Sequence, residues 1–180
     1  MVEKIEDKEI FKGRRISLHV TKYKEHGIET EREEVRVRDA VIVLAITNEN
    51  KILFVKEYRE LIEKEELELP AGIIEEGETP EEAAIRELEE ETGYRAHNVE
   101  FLRKIYSSCG ITNEALYVYY ARNLEKTKQN LDFDEFIEVE EKTIEEAKEL
   151  LDKNIIDSAS ANVGLMTYFL YLKDRINDFS

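Results

Sequence analysis

Two stretches with apolar positions set among polar ones, Arg14 to Tyr23 (Ile16, Leu18, Val20, Tyr23) and Ile28 to Val37 (Ile28, Val35, Val37), flank Glu25-His26-Gly27. This spacing predicts two antiparallel strands joined by a tight turn. From Ala40 to Thr47 the pattern changes to a nearly continuous apolar run, AVIVLAIT. After the turn Asn48-Glu49-Asn50-Lys51 a second strand is expected from Ile52 to Glu57, and the two read as a buried hairpin of the main sheet. Further strands are predicted at Val99 to Tyr106, at Glu114 to Ala121, where Leu116, Val118 and Tyr120 alternate, and at Glu135 to Val139. A helical period appears after Thr79, with Ala84, Ile85 and Leu88 forming a stripe able to pack on a sheet. A second helix opens at Thr143-Ile144-Glu145-Glu146 and runs to about Leu151. A last one starts at Asp157 or Ser158, with Met166, Phe169 and Leu170 on one side.

This order of elements predicts an α/β (α+β) chain: a mixed sheet between helices over residues 39–180, preceded by an antiparallel β extension over residues 1–38. A chain of 180 residues is long enough for one domain with a full core and a small extension.

The helix after Thr79 carries the most informative chemistry. Thr79 is the N-cap, Pro80 the first helical residue, Glu82 closes a capping box, and Gly93 supplies the stop. Early acids suit the positive end of the helix dipole, but Glu89, Glu90 and Glu91 stand at its negative end, and Glu87 with Glu91 is a like-charge pair four residues apart. Each violation costs a few tenths of a kcal/mol. A bound divalent cation reverses the sign of all of them, and Glu87, Glu90 and Glu91 share one helical face. A solvated acidic helix is the competing reading in a chain so rich in glutamate.

Composition narrows the classes. The chain has 26 Lys and Arg against 42 Asp and Glu, a net charge of -16, which argues against nonspecific binding to nucleic acid or anionic membrane. Residues 1–38 hold ten basic and nine acidic residues, so the acidic excess lies beyond them. Cys109 is the single cysteine, and His19, His26 and His97 are scattered, so neither a disulfide framework nor zinc-ligand spacing is present. The start MVEKIEDKEI has no apolar signal core, and the most apolar stretch, Ala159 to Leu172, is interrupted by Ser160, Asn162, Gly164 and Thr167. These features fit a reducing cytoplasm.

The run from Gly72 to Tyr94 resembles the Nudix box, a glycine, five residues, a glutamate, seven residues and then REUXEEXGU, where U is apolar. Gly72, Glu78, Arg86, Glu87, Leu88, Glu90, Glu91, Gly93 and Tyr94 fill every specified position. The flanking Glu57-Tyr58-Arg59 and Glu68-Leu69-Pro70-Ala71-Gly72 resemble the ADP-ribose pyrophosphatase branch. The resemblance implies a Nudix fold and Mg2+-dependent hydrolysis of ADP-ribose or a related ADP-sugar to AMP and a sugar phosphate, with Mn2+ as substitute. It implies Glu87, Glu91 and the Ala71 carbonyl as metal ligands with Glu90 in support or sharing a second metal, Arg86 orienting the carboxylates, and Glu78 bracing the loop or reaching an outer metal. Arg59 and Glu114 would bind substrate, and Glu135 would be the general base, with Asp132 or Asp134 as alternatives. Residues 1–38 would pair with a second subunit in a homodimer.

One departure concerns Ser107 to Glu114, where Cys109 stands in the place of the branch's proline; it reads as a small buried loop residue rather than a nucleophile. Two other readings stay open: a Nudix hydrolase of a different nucleotide sugar such as GDP-mannose, and a regulatory module that binds a nucleotide without cleaving it.

Overall fold

The computed structural model describes residues 1–172, and residues 173–180 of the expected 39–180 domain lie outside the described residues. In chain order the elements are β1 (Glu3–Lys12), β2 (Ser17–Glu25), β3 (Ile28–Arg36), β4 (Ala40–Ala45), β5 (Lys51–Arg59), β6 (Lys64–Glu68) and β7 (Ala71–Ile73), then α1 (Pro80–Thr92). They continue with β8 (Tyr94–Arg95), β9 (Val99–Tyr106), β10 (Ala115–Ala121), β11 (Glu125–Lys126), β12 (Glu138–Thr143), α2 (Ile144–Asp152) and α3 (Ala159–Thr167), which ends in a π-helical turn, Tyr168–Leu172. The architecture is the expected mixture of sheets and helices.

The described residues form two compact units, one of residues 1–39 with 105–116, the other of residues 40–104 with those from 117 onward. In the first, β1, β2 and β3 make an antiparallel sheet in that order. His26 and Gly27 both have positive φ at the β2–β3 turn, as a two-residue hairpin turn requires. Residues 105–116 belong to this unit through main-chain and amide bonds: Val35 N donates to Ile111 O at 2.9 Å, and Asn113 Nδ2 donates to Val37 O at 2.9 Å. Cys109 is exposed in that loop, which corrects the expectation that it is buried. β1 was not legible from the pattern: all ten of its residues are exposed, so no buried side chains mark a face.

In the second unit β4 sits between β7 and β10 in one sheet, and β5 lies between β12 and β6 in another. The expected β4–β5 hairpin is therefore corrected. The two strands share a single bridge, Ile46 with Ile52, and then diverge into different sheets. β4 is apolar throughout because it is covered on both faces. Val41, Val43 and Ala45 pack with Ala83, Ala84 and Leu88 of α1. On the other side Gly164 of α3 lies against Leu69 and Ile42, so close that an added Cβ would meet Leu69 Cδ1 at 2.3 Å. Each buried Val, Ile or Leu of this layer contributes about 1.5–3 kcal/mol by leaving water.

Two helix faces differ in detail from the expectation. Ala83, rather than Ile85, completes the buried stripe of α1. On α3 the buried side is Ala161, Gly164 and Leu165, while Met166 and, in the following turn, Leu170 are exposed. The strand expected from Glu135 begins only at Glu138, where pairing with Lys56 starts.

Candidate active site

The site is built around α1 and the short strand before it. Thr79 caps α1 through the Glu82 amide at 3.2 Å, Glu82 returns a bond to the Thr79 amide at 2.8 Å, and Gly93 ends the helix in the left-handed conformation. Pro70 is locked onto β4, its carbonyl accepting from Val43 N at 2.8 Å, and this holds β7 alongside the helix. Gly72 then faces Glu87 directly. A Cβ there would lie 2.0 Å from the Glu87 carboxyl carbon, so only glycine leaves room for the carboxylate.

Arg86 organises three acids. Its Nε and Nη2 form a bidentate pair with Glu78 at 2.8 and 2.9 Å, and Nη2 also donates to the Ile73 carbonyl at 3.0 Å. Nη1 donates to Glu87 at 2.7 Å and to Glu90 at 3.0 Å, which uses all five donors of the guanidinium. Glu78 also accepts from the Glu75 amide at 3.0 Å, bracing the loop before the helix. The Arg86 pair holds the Glu78 carboxyl below the usual carboxylate range.

Glu91 behaves differently. It is 6% exposed, and Oε2 accepts from the Ala71 amide at 3.0 Å. Burial pushes its carboxyl well above the usual range, and the charges of Glu87, Glu135 and Glu57 push the same way. Burial likewise raises Glu87 despite its bond to Arg86, with Glu90 and Glu135 adding repulsion. A set of carboxylates that raise one another is the electrostatic signature of a site built for a cation. As the side chains stand, no three of His, Cys, Asp or Glu among the described residues are grouped to hold an ion. Arg86 engages Glu87 and Glu90, and the Ala71 amide engages Glu91. The donors are nevertheless hard oxygens, as Mg2+ and similar divalent ions require.

On the neighbouring hairpin, Arg59 is clamped by two acids that the sequence reading did not single out. Nε and Nη2 pair with Glu68 at 2.7 and 3.1 Å, and Nη1 lies 2.8 Å from Glu57. Burial raises Glu57, and Glu68 and Glu135 add to the effect, so Glu57 belongs to the same electrostatic cluster as Glu91. Period-2 spacing was the available signal, because positions 57 and 59 share one face of β5 and Glu68 lies on its partner strand.

Glu135 lies in the loop before β12, where its amide donates to Asp132 O and its carboxylate accepts from Asp132 N, both at 3.1 Å. Its charge acts on both Glu87 and Glu91. The start of this loop is stitched to the end of α1: Thr127 N donates to Gly93 O at 2.7 Å, and Asn130 N to Glu90 O at 2.9 Å. A cleft of about 430 Å³ opens beside α1, lined by Ile85, Arg86, Glu90, Lys128 and Asn130 among others. Glu114 belongs to the first unit, where its amide donates to Thr112 Oγ1 at 3.1 Å. Among the described residues no helix is long and apolar enough to cross a membrane.

Comparison with known proteins agrees with this arrangement. A solved structure described as an ADP compounds hydrolase superposes with a TM-score of 0.86 at 22% identity, covering 97% of this chain and 95% of that one, which shows the fold. The chain is 44% identical to the methanol dehydrogenase activator of Bacillus methanolicus over 96% of this chain and 94% of that protein. It is 39% identical to the ADP-ribose pyrophosphatase of Bacillus subtilis, again over 96% and 94%. The NUDIX domain family matches residues 36–161, which takes in β4 to α2, the acid-rich helix and its flanking strands, and the chain therefore belongs to the Nudix family.

Proposed function

We propose that the chain hydrolyses the diphosphate bond of ADP-ribose or a related ADP-sugar, releasing AMP and a sugar phosphate. The observation that carries this reading is the buried Glu91 carboxylate, held by the Ala71 amide and opposed by Glu87, Glu135 and Glu57. Glu87, Glu91 and the Ala71 carbonyl would hold Mg2+, or Mn2+ in its place, with Glu90 in support. When bound, the ion supplies charge neutralisation for the diphosphate and activation of the attacking water.

The chain's own residues do the rest. Arg86 keeps Glu87 and Glu90 oriented, and Glu78 fixes Arg86. Arg59, held at a defined angle by Glu57 and Glu68, offers a planar fork suited to a diphosphate or ribose. Glu135 takes the proton of the attacking water as general base, and Glu114 contacts substrate. The 39% identity to an ADP-ribose pyrophosphatase supports the substrate class.

Phosphate release would be measured in Mg2+, coupled to alkaline phosphatase for ADP-ribose, ADP-glucose, GDP-mannose and UDP-glucose and to inorganic pyrophosphatase for a nucleoside triphosphate. Preference for ADP-ribose, lost in Glu87→Gln, is the expected result. Preference for GDP-mannose would reassign the substrate, and absence of turnover with every compound would refute hydrolysis.

A second reading is favoured by the 44% identity to a methanol dehydrogenase activator, namely that the chain stimulates a dehydrogenase partner. Adding the protein to a methanol dehydrogenase and following methanol oxidation tests it, and an unchanged rate would set it aside. We also propose a homodimer formed through residues 1–38, supported by the apolar side chains of Ile5, Ile10 and Phe11 that β1 exposes. Light scattering of the full chain and of a chain lacking residues 1–38 distinguishes dimer from monomer.

A further inference from the structure

Gln129 is the chain's only glutamine, and its side chain spans a junction that no other side chain bridges among the described hydrogen bonds. Its Nε2 donates to the Glu91 carbonyl at 2.7 Å and to the Ile137 carbonyl at 3.3 Å, so both hydrogens of the amide are used. Glu91 lies in the last turn of α1. Ile137 is the buried residue immediately before β12. One side chain therefore joins the two ends of the segment Asn130–Phe136 and ties both to the helix that carries Glu87, Glu90 and Glu91.

Inside that segment little else anchors the chain to the body of the unit. Phe133 and Phe136 are 92% and 82% exposed, and the bonds of Glu135 are to Asp132, within the segment itself. Asn130 N on Glu90 O fixes the entry of the segment. At the exit, Gln129 supplies the corresponding link from α1 to the carbonyl of Ile137. The position of Glu135 relative to the α1 carboxylates thus depends on how firmly these ends are held, because a segment whose only partly buried apolar side chain is Leu131, near its start, moves with its ends.

We infer that Gln129 is a positioning residue for hydrolysis, closing the acidic loop against the end of α1 so that Glu135 faces the α1 carboxylates. This rests on Glu135 acting as the general base. The residue type follows from the chemistry: the amide supplies two donors to two carbonyls, whereas an ionised glutamate supplies none and would add charge beside the negative end of the helix.

The experiment is a double-mutant cycle between Gln129→Met, which keeps volume and removes both donors, and Glu135→Gln, read as kcat and KM for ADP-ribose with Mn2+ affinity measured in parallel. Gln129→Met is expected to lower kcat by about 10- to 100-fold with KM and Mn2+ affinity within about twofold, since misplacement of a catalytic group by about 1 Å acts on the transition state. In the Glu135→Gln background the same substitution is expected to cost less than about threefold, because the group it positions is already absent. An unchanged kcat in Gln129→Met, or the same loss in both backgrounds, overturns the positioning role while leaving the base assignment in place. An unchanged kcat in Glu135→Gln overturns the base assignment and this inference with it. Should Gln129→Met fail to fold, Gln129→Asn, which keeps the amide one methylene short, enters the same cycle with the same expected and refuting results.

Discussion

Replacing Gly72 with alanine separates the demands of catalysis from those of folding. The added Cβ would lie 2.0 Å from the Glu87 carboxyl carbon and 2.1 and 2.3 Å from its oxygens. Ordinary carbon contacts lie at about 3.5–4.0 Å, so the carboxylate must retreat by about 1.5 Å. The backbone itself raises no objection: among the described glycines only Gly27, Gly77 and Gly93 have positive φ. What must move is the end of a flexible side chain, and its retreat breaks the 2.7 Å bond to Arg86. The loss of a hydrogen bond to a charged group bounds the stability cost at about 1.5–3 kcal/mol. If Glu87 holds the metal as proposed, its displacement by more than about 1 Å is, in contrast, expected to lower kcat by about 100-fold. The assay is steady-state hydrolysis of ADP-ribose with a thermal melt and a Mn2+ titration on the same preparation. The expected result is a folded protein with a cooperative melt, weaker Mn2+ binding and little turnover. A kcat within about threefold of wild type would refute the argument, because Glu87 would then tolerate displacement.

Other consequences follow from the same contacts. Glu91 and Glu87 have folded-state pKa values above their unfolded values, so the metal-free protein should gain stability as pH falls through those raised values toward about 4.5, the reverse of an ordinary salt-bridged acid. Below that range Glu78 and Glu141, whose pKa values are lowered, protonate and remove stability, so a maximum in the melting temperature of the metal-free protein is expected near the lower end of that range; a monotonic fall below neutrality would contradict it. Metal binding should release protons in this range, which calorimetry in two buffers of different ionisation enthalpy detects; buffer-independent heats would count against the carboxylate cluster as the site. Thr79→Ala removes the hydroxyl that accepts from the Glu82 amide and donates to the Glu82 carboxylate, while the backbone amide bond to Glu82 remains, and should cost about 0.5–2 kcal/mol in denaturant unfolding, with an unchanged midpoint as the refuting result. Arg59→Lys cannot reproduce the fork on Glu68 and Glu57, and should raise KM for ADP-ribose by about tenfold with a smaller effect on kcat, whereas an unchanged KM would remove Arg59 from substrate binding.

The local codes were legible because they act over a few residues. Thr79, Pro80, Glu82 and Gly93 place both ends of α1, and Thr143 with Glu146 opens α2, since caps satisfy backbone groups within one turn. The run from Ala40 likewise had to be a buried strand, and Val99–Tyr106 has the expected bounds. The mixed fold and the position of the acid-rich helix followed from those signals. β6 escaped because its sequence, KEELE, looks solvated, yet Glu66 and Glu68 are buried against Lys64 and Arg59. Lys64 is only two residues from Glu66 on the same strand, but Arg59, the partner that offsets the burial of Glu68, is brought within reach only by the pairing of β5 with β6.

The sequence by itself determined the helix that carries the acids, the residues that start and stop it, and the glycine that the site requires. Tertiary structure decided which of those acids is buried, that β4 and β5 part into separate sheets, that Arg59 is gripped by Glu57 and Glu68, and that Gln129 ties the acidic loop to the end of α1. The division has one cause. Caps and periodicity depend on neighbours a few residues away, whereas burial, carboxylate repulsion and loop closure depend on residues far apart in the chain that meet only when it folds.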